Sequence, residues 1–195
     1  LQWEVNQLLI LLEAPVMFKH SAYIVLDLPS PMRETVAELR LQADKAFPPL
    51  PVEITVAGSS GVGTIEADES QERVFALLAD VATKTKALNA AFHLIERFPN
   101  SPVVYLSLVD TAPFITLHNA ILSTPIRFRA SPFPFGPHCT IRPPSAGTLD
   151  EAEFRRIATL SVPRSPFLLE SMSVYELDSV NRECRLLYRT ILTGC

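Results

Sequence analysis

The chain has 195 residues, 48% of them hydrophobic and 19% charged, with a formal net charge of −4. That balance suits one globular domain or two closely fused lobes and excludes a disordered chain. It also excludes a general basic field for long nucleic acid, so a polyanion would have to be met locally, as a small molecule or a strand end.

Trp3, Val5, Leu8, Leu9, Leu11 and Leu12 predict an N-terminal helical extension over about residues 1–14, which Pro15 stops. Tyr23 to Leu28 reads as a buried strand ending at Pro29. Ser30 as N-cap, Pro31 at the first helical position and Glu34 open a helix with Val36, Leu39 and Ala43 on one face. A strand from about Val52 to Ala57 runs into the flexible loop Gly58-Ser59-Ser60-Gly61-Val62-Gly63. Asp68 or Ser70 caps a second helix carrying Val74, Leu77, Leu78 and Val81. Ala90 to Phe98 and Val103 to Val109 form an antiparallel pair around Pro99-Asn100-Ser101-Pro102. A helix follows from Thr111 to about Leu122, then the Pro- and aromatic-rich stretch 131–137, then a strand from His138 to Arg142. Thr148 begins a helix with Asp150 and Glu151 in its first turn, and two strands, Phe167 to Leu177 and Arg185 to Leu192, close the chain. The sum is an α+β chain of mostly antiparallel strands.

Cys139, Cys184 and Cys195 form no CxxC pair and leave an odd count, which argues against a disulfide framework or a zinc site. A reducing, cytoplasmic setting fits best. The apolar run Leu8 to Leu12 is far too short to span a membrane, and Glu4 and Glu13 flank it where a signal peptide is basic. The first residue is Leu rather than Met, which leaves the natural start open.

Two strands carry a near-repeat: Glu53-Ile54-Thr55 and His138-Cys139-Thr140. Residues i and i+2 of a strand share a face, so Glu53 projects with Thr55, and His138 with Thr140. Facing each other, the two strands would set four polar groups around one small anion. Each is followed by a loop and then a helix, which hints at two related halves.

On Pro137-His138-Cys139-Thr140-Ile141, Val52-Glu53-Ile54-Thr55-Val56, their separation, and the opening strand Tyr23-Ile24-Val25-Leu26-Asp27-Leu28-Pro29, the chain resembles the 2H phosphoesterase superfamily. That group includes 2′-5′ RNA ligases and cyclic nucleotide phosphodiesterases, and the similarity covers roughly residues 21 to 193. The resemblance implies a single bilobal domain over 1–195, two mostly antiparallel sheets flanking a central cleft, and helices outside. It implies opening of a 2′,3′-cyclic phosphate, or joining and cleavage of 2′-5′ linkages, without metal or other cofactor. The partner would be a small phosphodiester or an RNA 2′,3′-cyclic phosphate end, not a duplex or a membrane. One motif histidine takes a proton from water, the other protonates the leaving oxygen, and the threonines hold the phosphoryl oxygens. His138, Thr140 and Thr55 match that pattern. Glu53 stands where the family has histidine.

His138 suits proton transfer because imidazole titrates near neutrality. Glu53 leaves three readings open: a general base, a partner that raises the His138 pKa, or a replacement that costs ordinary activity. The third is preferred, because a carboxylate at roughly 4 Å from phosphate costs about 4 kcal/mol at an effective dielectric of 20. The candidate catalytic residues are therefore His138, Thr140, Thr55 and Glu53. Arg142, two residues past Thr140, is a candidate phosphate clamp or else a solvated strand end. Ser59, with Ser60 and Gly61, offers backbone amides to an anion or forms a plain turn. Phe133 and Phe135 are candidates for base stacking, at least one of them belonging to the core. Arg127 and Arg129 form a small basic spot on a solvated edge. Cys139 faces away from His138, His93 and His118 read as structural, and His20 sits in a loop.

Overall fold

The computed structural model describes residues 14–181 and 183–194; the expected N-terminal helix and Cys195 lie outside the described residues. The chain order is β1 Ser21–Asp27, α1 Met32–Ala43, β2 Glu53–Ala57, α2 Gln71–Lys84, β3 Leu88–Ala90, β4 Phe92–Arg97, β5 Val104–Leu108, α3 Ala112–Leu122, β6 Cys139–Arg142, a 3-10 turn Pro144–Ala146, α4 Glu151–Ala158, β7 Phe167–Leu169, β8 Ser171–Asp178 and β9 Glu183–Ile191. Two sheets, β2-β1-β8-β9 and β4-β5-β6, carry the two lobes, and β3 pairs with β7 in a separate two-stranded ribbon. Every pairing is antiparallel.

Four details differ from the sequence expectation. Pro31, not Ser30, is the N-cap of α1, and no side chain caps it. The Ala90–Phe98 run breaks at Ala91, because β3 turns away to pair with β7 while β4 pairs with β5. The Phe167–Leu177 run breaks at Glu170 for the same reason, its two parts serving different sheets. The helix expected from Thr148 starts at Glu151, where the Asp150 carboxylate accepts from the Glu153 amide at 2.7 Å. Ser70 caps α2 by accepting from the Arg73 amide.

Alternation divides each sheet into an apolar and a polar face. Ile24, Leu26, Ile54, Val56, Met172 and Val174 are fully buried on one face of the first sheet. Val104, Leu106, Cys139 and Ile141 are fully buried in the second. Burying each large aliphatic contributes about 1.5–3 kcal/mol, so the register of the polar faces is fixed by the core beneath them.

The two halves repeat one another. β1-α1-β2 and β5-α3-β6 are each an antiparallel strand pair joined through a helix. Each helix packs on the motif strand of the other half, α1 on β6 and α3 on β2. Both motif strands also carry a bulge one residue beyond their threonine. Thr55 pairs with Val25 while Ala57 pairs with Ile24, leaving Val56 extra. Thr140 pairs with Tyr105 while Arg142 pairs with Val104, leaving Ile141 extra.

Candidate functional site

β2 and β6 are neighbouring edge strands of the two sheets. Arg40, buried on α1, ties them together. Its guanidinium donates to the Thr140 carbonyl at 3.0 Å and to the Leu50 and Pro51 carbonyls, at 3.0 and 2.8 Å, where the chain enters β2. Phe47 lies under it, 4.5 Å from ring centroid to guanidinium carbon. His118 of α3 plays the matching part on the other half: its Nδ1–H donates to the carbonyl of the bulged Val56 at 2.7 Å.

Glu53 and Thr55 lie half-buried on the polar face of the first sheet. The Thr55 hydroxyl donates to the Glu53 carboxyl at 3.0 Å. Asp27 is the cross-strand partner of Glu53. Burial pushes the Glu53 carboxyl up to about 7; the Arg40 guanidinium and the Thr55 hydroxyl hold it back, while the Asp27 charge adds to the rise. A carboxyl in this state is an even mixture of acid and carboxylate near neutrality. The described ion pairs do not join it to His138.

His138 immediately precedes β6 and is half-buried. Its Nδ1 lies 2.6 Å from the Gly136 carbonyl. A carbonyl only accepts, so Nδ1 carries the proton and Nε2 keeps its lone pair. Phe98 and Tyr105 hold the ring edge-on, with centroids at 4.9 and 5.1 Å. Burial lowers the imidazole pKa below its usual value, and the Gly136 carbonyl opposes that shift only in part. Thr140 follows on the same face, half-buried, opposite Tyr105.

The other expected residues fall elsewhere. Arg142 is no phosphate clamp. The Ile141 bulge turns it to the Val104 face, where it is buried and donates to the carbonyls of Pro102, Ala146, Gly147 and Thr148. Both terminal nitrogens are thereby committed. Phe135 stacks flat on His118, centroids 3.9 Å apart, so a base cannot occupy its inner face. Phe133 is the open ring, 64% exposed. Ser59 is exposed, and its carbonyl accepts from the Ser131 hydroxyl at 2.8 Å, so the glycine loop and the 131–137 stretch are laced together. The Gly61 amide donates to the Phe133 carbonyl at 2.9 Å, which leaves that amide unavailable to an anion. Arg127 pairs with Asp68 and Glu69, which cancels the expected basic spot. Cys139 is buried, with its thiol pushed up to about 11 by burial, and is unreactive there. His118 is structural as expected, whereas His93 is exposed and His20 pairs with Asp178 at 3.6 Å.

Sequence reasoning missed the neighbours of the motif. Asp27, Ser171, Ser173, Tyr175 and Arg189 share the polar face with Glu53 and Thr55, and all donors converge on the Asp27 carboxylate. The alternation of Asp27 within Tyr23–Pro29 was a usable signal, since a charged residue in a buried strand must face a cleft or a partner. A hollow of about 800 Å³ between α2 and α3 holds none of these groups. No group of three or more His, Cys, Asp or Glu placed to hold a metal occurs among the described residues. Nor is any helix among them long and apolar enough to cross a membrane.

Comparison with known proteins bears on the family and the fold. The model of the 2′-5′ RNA ligase superfamily matches residues 28–181. The fold is similar to TT0787 of Thermus thermophilus, with a TM-score of 0.63 at 16% identity, covering 89% of this chain and 98% of that one. It is similar to E. coli LigT, with a TM-score of 0.58 at 21% identity and the same coverage of 89% and 98%. A third structure, described as a phosphoesterase, gives 0.59 at 20% identity over 92% of this chain and 99% of that one. These likenesses show the fold. A search of curated proteins found no match.

Proposed function

The chain belongs to the 2′-5′ RNA ligase superfamily, and from that premise we propose a 2H-type phosphodiesterase acting, without metal, on RNA 2′,3′-cyclic phosphate ends or small cyclic phosphodiesters, with turnover reduced because Glu53 replaces one catalytic histidine. The observation that carries the proposal is the paired placement of Glu53-x-Thr55 and His138-x-Thr140 on adjoining edge strands, each followed by the same bulge. E. coli LigT has been crystallised with ATP, NADP+, 3′-AMP and phosphate, which fits a small nucleotide or an RNA end as the ligand class.

The two titrating groups divide the work between them. Neutral His138 presents the Nε2 lone pair as general base. Protonated Glu53 is the general acid. Water attacks phosphorus, its proton passes to Nε2, the bond from phosphorus to one ribose oxygen breaks, and that oxygen takes the Glu53 proton. The Thr140 hydroxyl donates to a non-bridging oxygen. Thr55 does so only after releasing Glu53, its partner in the unliganded site. The productive form therefore dominates between the lowered His138 pKa and about 7.

Two losses reduce the rate. A neutral carboxyl cannot supply the positive charge of an imidazolium to the phosphoryl oxygens. Above about pH 7 it ionises, ceases to be an acid and repels the substrate. The commitment of the Thr55 hydroxyl to Glu53 favours a second reading, a non-catalytic protein that binds a nucleotide or RNA end in the same cleft. Turnover of nucleoside 2′,3′-cyclic phosphates separates the two. The enzyme reading expects slow hydrolysis by the natural chain, more in Glu53→His and none in His138→Ala. Unchanged turnover in His138→Ala would overturn it; binding without turnover, with hydrolysis gained in Glu53→His, would establish the binder.

A further inference from the structure

The polar face of the first sheet continues past the motif in one cross-strand row. Thr55 pairs with Val25, Val25 with Ser173, and Ser173 with Arg189. Three strand spacings span roughly 14 Å. Arg189 starts at the far end and reaches back over β8, so its guanidinium lies near Asp27, itself the cross-strand neighbour of Glu53.

That guanidinium is held from one side only. Nε donates to Asp27 at 3.2 Å and to the Ser173 hydroxyl at 3.0 Å, and Nη2 lies 3.2 Å from the other Asp27 oxygen and 3.4 Å from the Tyr175 hydroxyl. Nη1 makes no hydrogen bond among the described residues, and the side chain is 45% exposed. The floor beneath it is built rather than incidental: Ser173 is fully buried, Tyr175 is 9% exposed, and both add donors to the same Asp27 carboxylate. Asp27 thus fixes the orientation of the cation while its outer edge stays open.

The charge balance of the cleft gives that edge a purpose. Arg40 is buried with its Nε and Nη1 on backbone carbonyls, Arg142 is buried with both terminal nitrogens on carbonyls, and His138 and Glu53 are neutral in the proposed productive form. Among the described residues, Arg189 is then the cation that the motif face offers to solvent. Its guanidinium is bound to Asp27, the cross-strand neighbour of Glu53, so it stands one strand to the side of the proposed reacting position.

We propose that Arg189, oriented by Asp27, Ser173 and Tyr175, is an anion subsite for the phosphate on the 5′ side of the terminal nucleotide, so that the preferred ligand is a phosphorylated RNA end rather than a bare nucleoside cyclic phosphate. The inference rests on the functional reading above and deepens it by substrate class.

The test is calorimetric titration of the natural chain and Arg189→Gln with adenosine 3′-monophosphate and adenosine 3′,5′-bisphosphate. One added charge-assisted contact gives the bisphosphate about tenfold tighter binding to the natural chain. In Arg189→Gln that ratio falls to near one. A ratio near one in the natural chain, or one that survives Arg189→Gln, overturns the subsite. Should Arg189→Gln misfold, the Arg189 Nε–H signal of the natural chain decides: it shifts with the bisphosphate alone, and an equal shift with the monophosphate refutes the assignment. Monophosphate binding that depends on His138 but gains nothing from the second phosphate sinks the subsite and leaves the function standing. Failure of both ligands to bind removes the functional reading, and the subsite with it.

Discussion

Glu53→Gln isolates the titration on which the proposed chemistry depends. The glutamine oxygen still accepts from Thr55, so the main change is the loss of a proton site. Glu53 has its pKa raised by burial to about 7 against an ordinary 4.5. A raised carboxyl binds its proton more tightly folded than unfolded, so its contribution to stability is fully present below the unfolded pKa and is lost as pH rises through the folded one. That difference corresponds to on the order of 3 kcal/mol against the natural chain at alkaline pH. Glutamine does not titrate, so the variant gains relative to the natural chain as pH rises. Between about pH 5 and about pH 8 the gap widens by about 2–3 kcal/mol, or about 8 °C in melting temperature for a chain of this size. His138 is present in both proteins, and its own pH dependence cancels in the comparison. Urea unfolding at the two pH values measures the gap. A gap that does not change with pH would show that Glu53 ionises normally, and with it would fall the assignment of Glu53 as the acid.

The pH–rate profile for a nucleoside 2′,3′-cyclic phosphate is expected to be bell-shaped, rising through the lowered His138 pKa and falling through about 7 as Glu53 ionises. Loss of the falling limb in Glu53→Gln, together with most of the rate, is the companion result. Arg142→Met removes a buried cation from four carbonyls and should cost about 3 kcal/mol or more in chemical unfolding, with little change in phosphate affinity among the molecules that remain folded. A selective loss of phosphate affinity instead would restore the clamp reading. Gly61→Ala drives a Cβ into the His118 ring at a φ of +70°, and is expected to lower the melting temperature by several degrees through about 1–3 kcal/mol of strain. A melting temperature unchanged by that substitution would show that the loop can shift away from His118.

The strands and helices were largely legible because their cores keep regular periods. Val104, Leu106 and Leu108 alternate with more open residues, and Val74, Leu78 and Val81 recur at helical spacing. The motif was legible because i, i+2 geometry is local. What sequence could not supply was the outcome of one extra residue. The Ile141 bulge reverses the face of Arg142, and a bulge depends on the partner strand, which lies far away in the chain. The breaks at Ala91 and Glu170 were hidden for the same reason, since each separates strands bound for different sheets. Phe133 and Phe135 could not be distinguished, because only the folded chain sets Phe135 on His118. Arg189 carried no local signal either; its meaning comes from a row of pairings across four strands.

The same row explains how a carboxyl can stand where a histidine is expected. Two carboxyl groups, Asp27 and Glu53, face each other on neighbouring strands, and a close pair of like charges favours one charge over two. The surroundings of the two groups differ. Asp27 collects the Ser171, Ser173 and Tyr175 hydroxyls and the Arg189 guanidinium. Glu53 has one hydroxyl, from Thr55, and the Arg40 guanidinium near it is spent on backbone carbonyls. Burial with a single hydroxyl partner thus raises the Glu53 pKa to about 7, and the Asp27 charge adds to that rise. In the other half Ser107 follows Leu106, which pairs with Cys139, and burial lowers the His138 pKa, opposed in part by the Gly136 carbonyl. Two halves of like topology thus carry unlike groups. The half with the acidic neighbour carries a raised carboxyl pKa, the half without it a lowered imidazole pKa, and the acid–base pair proposed above needs that difference.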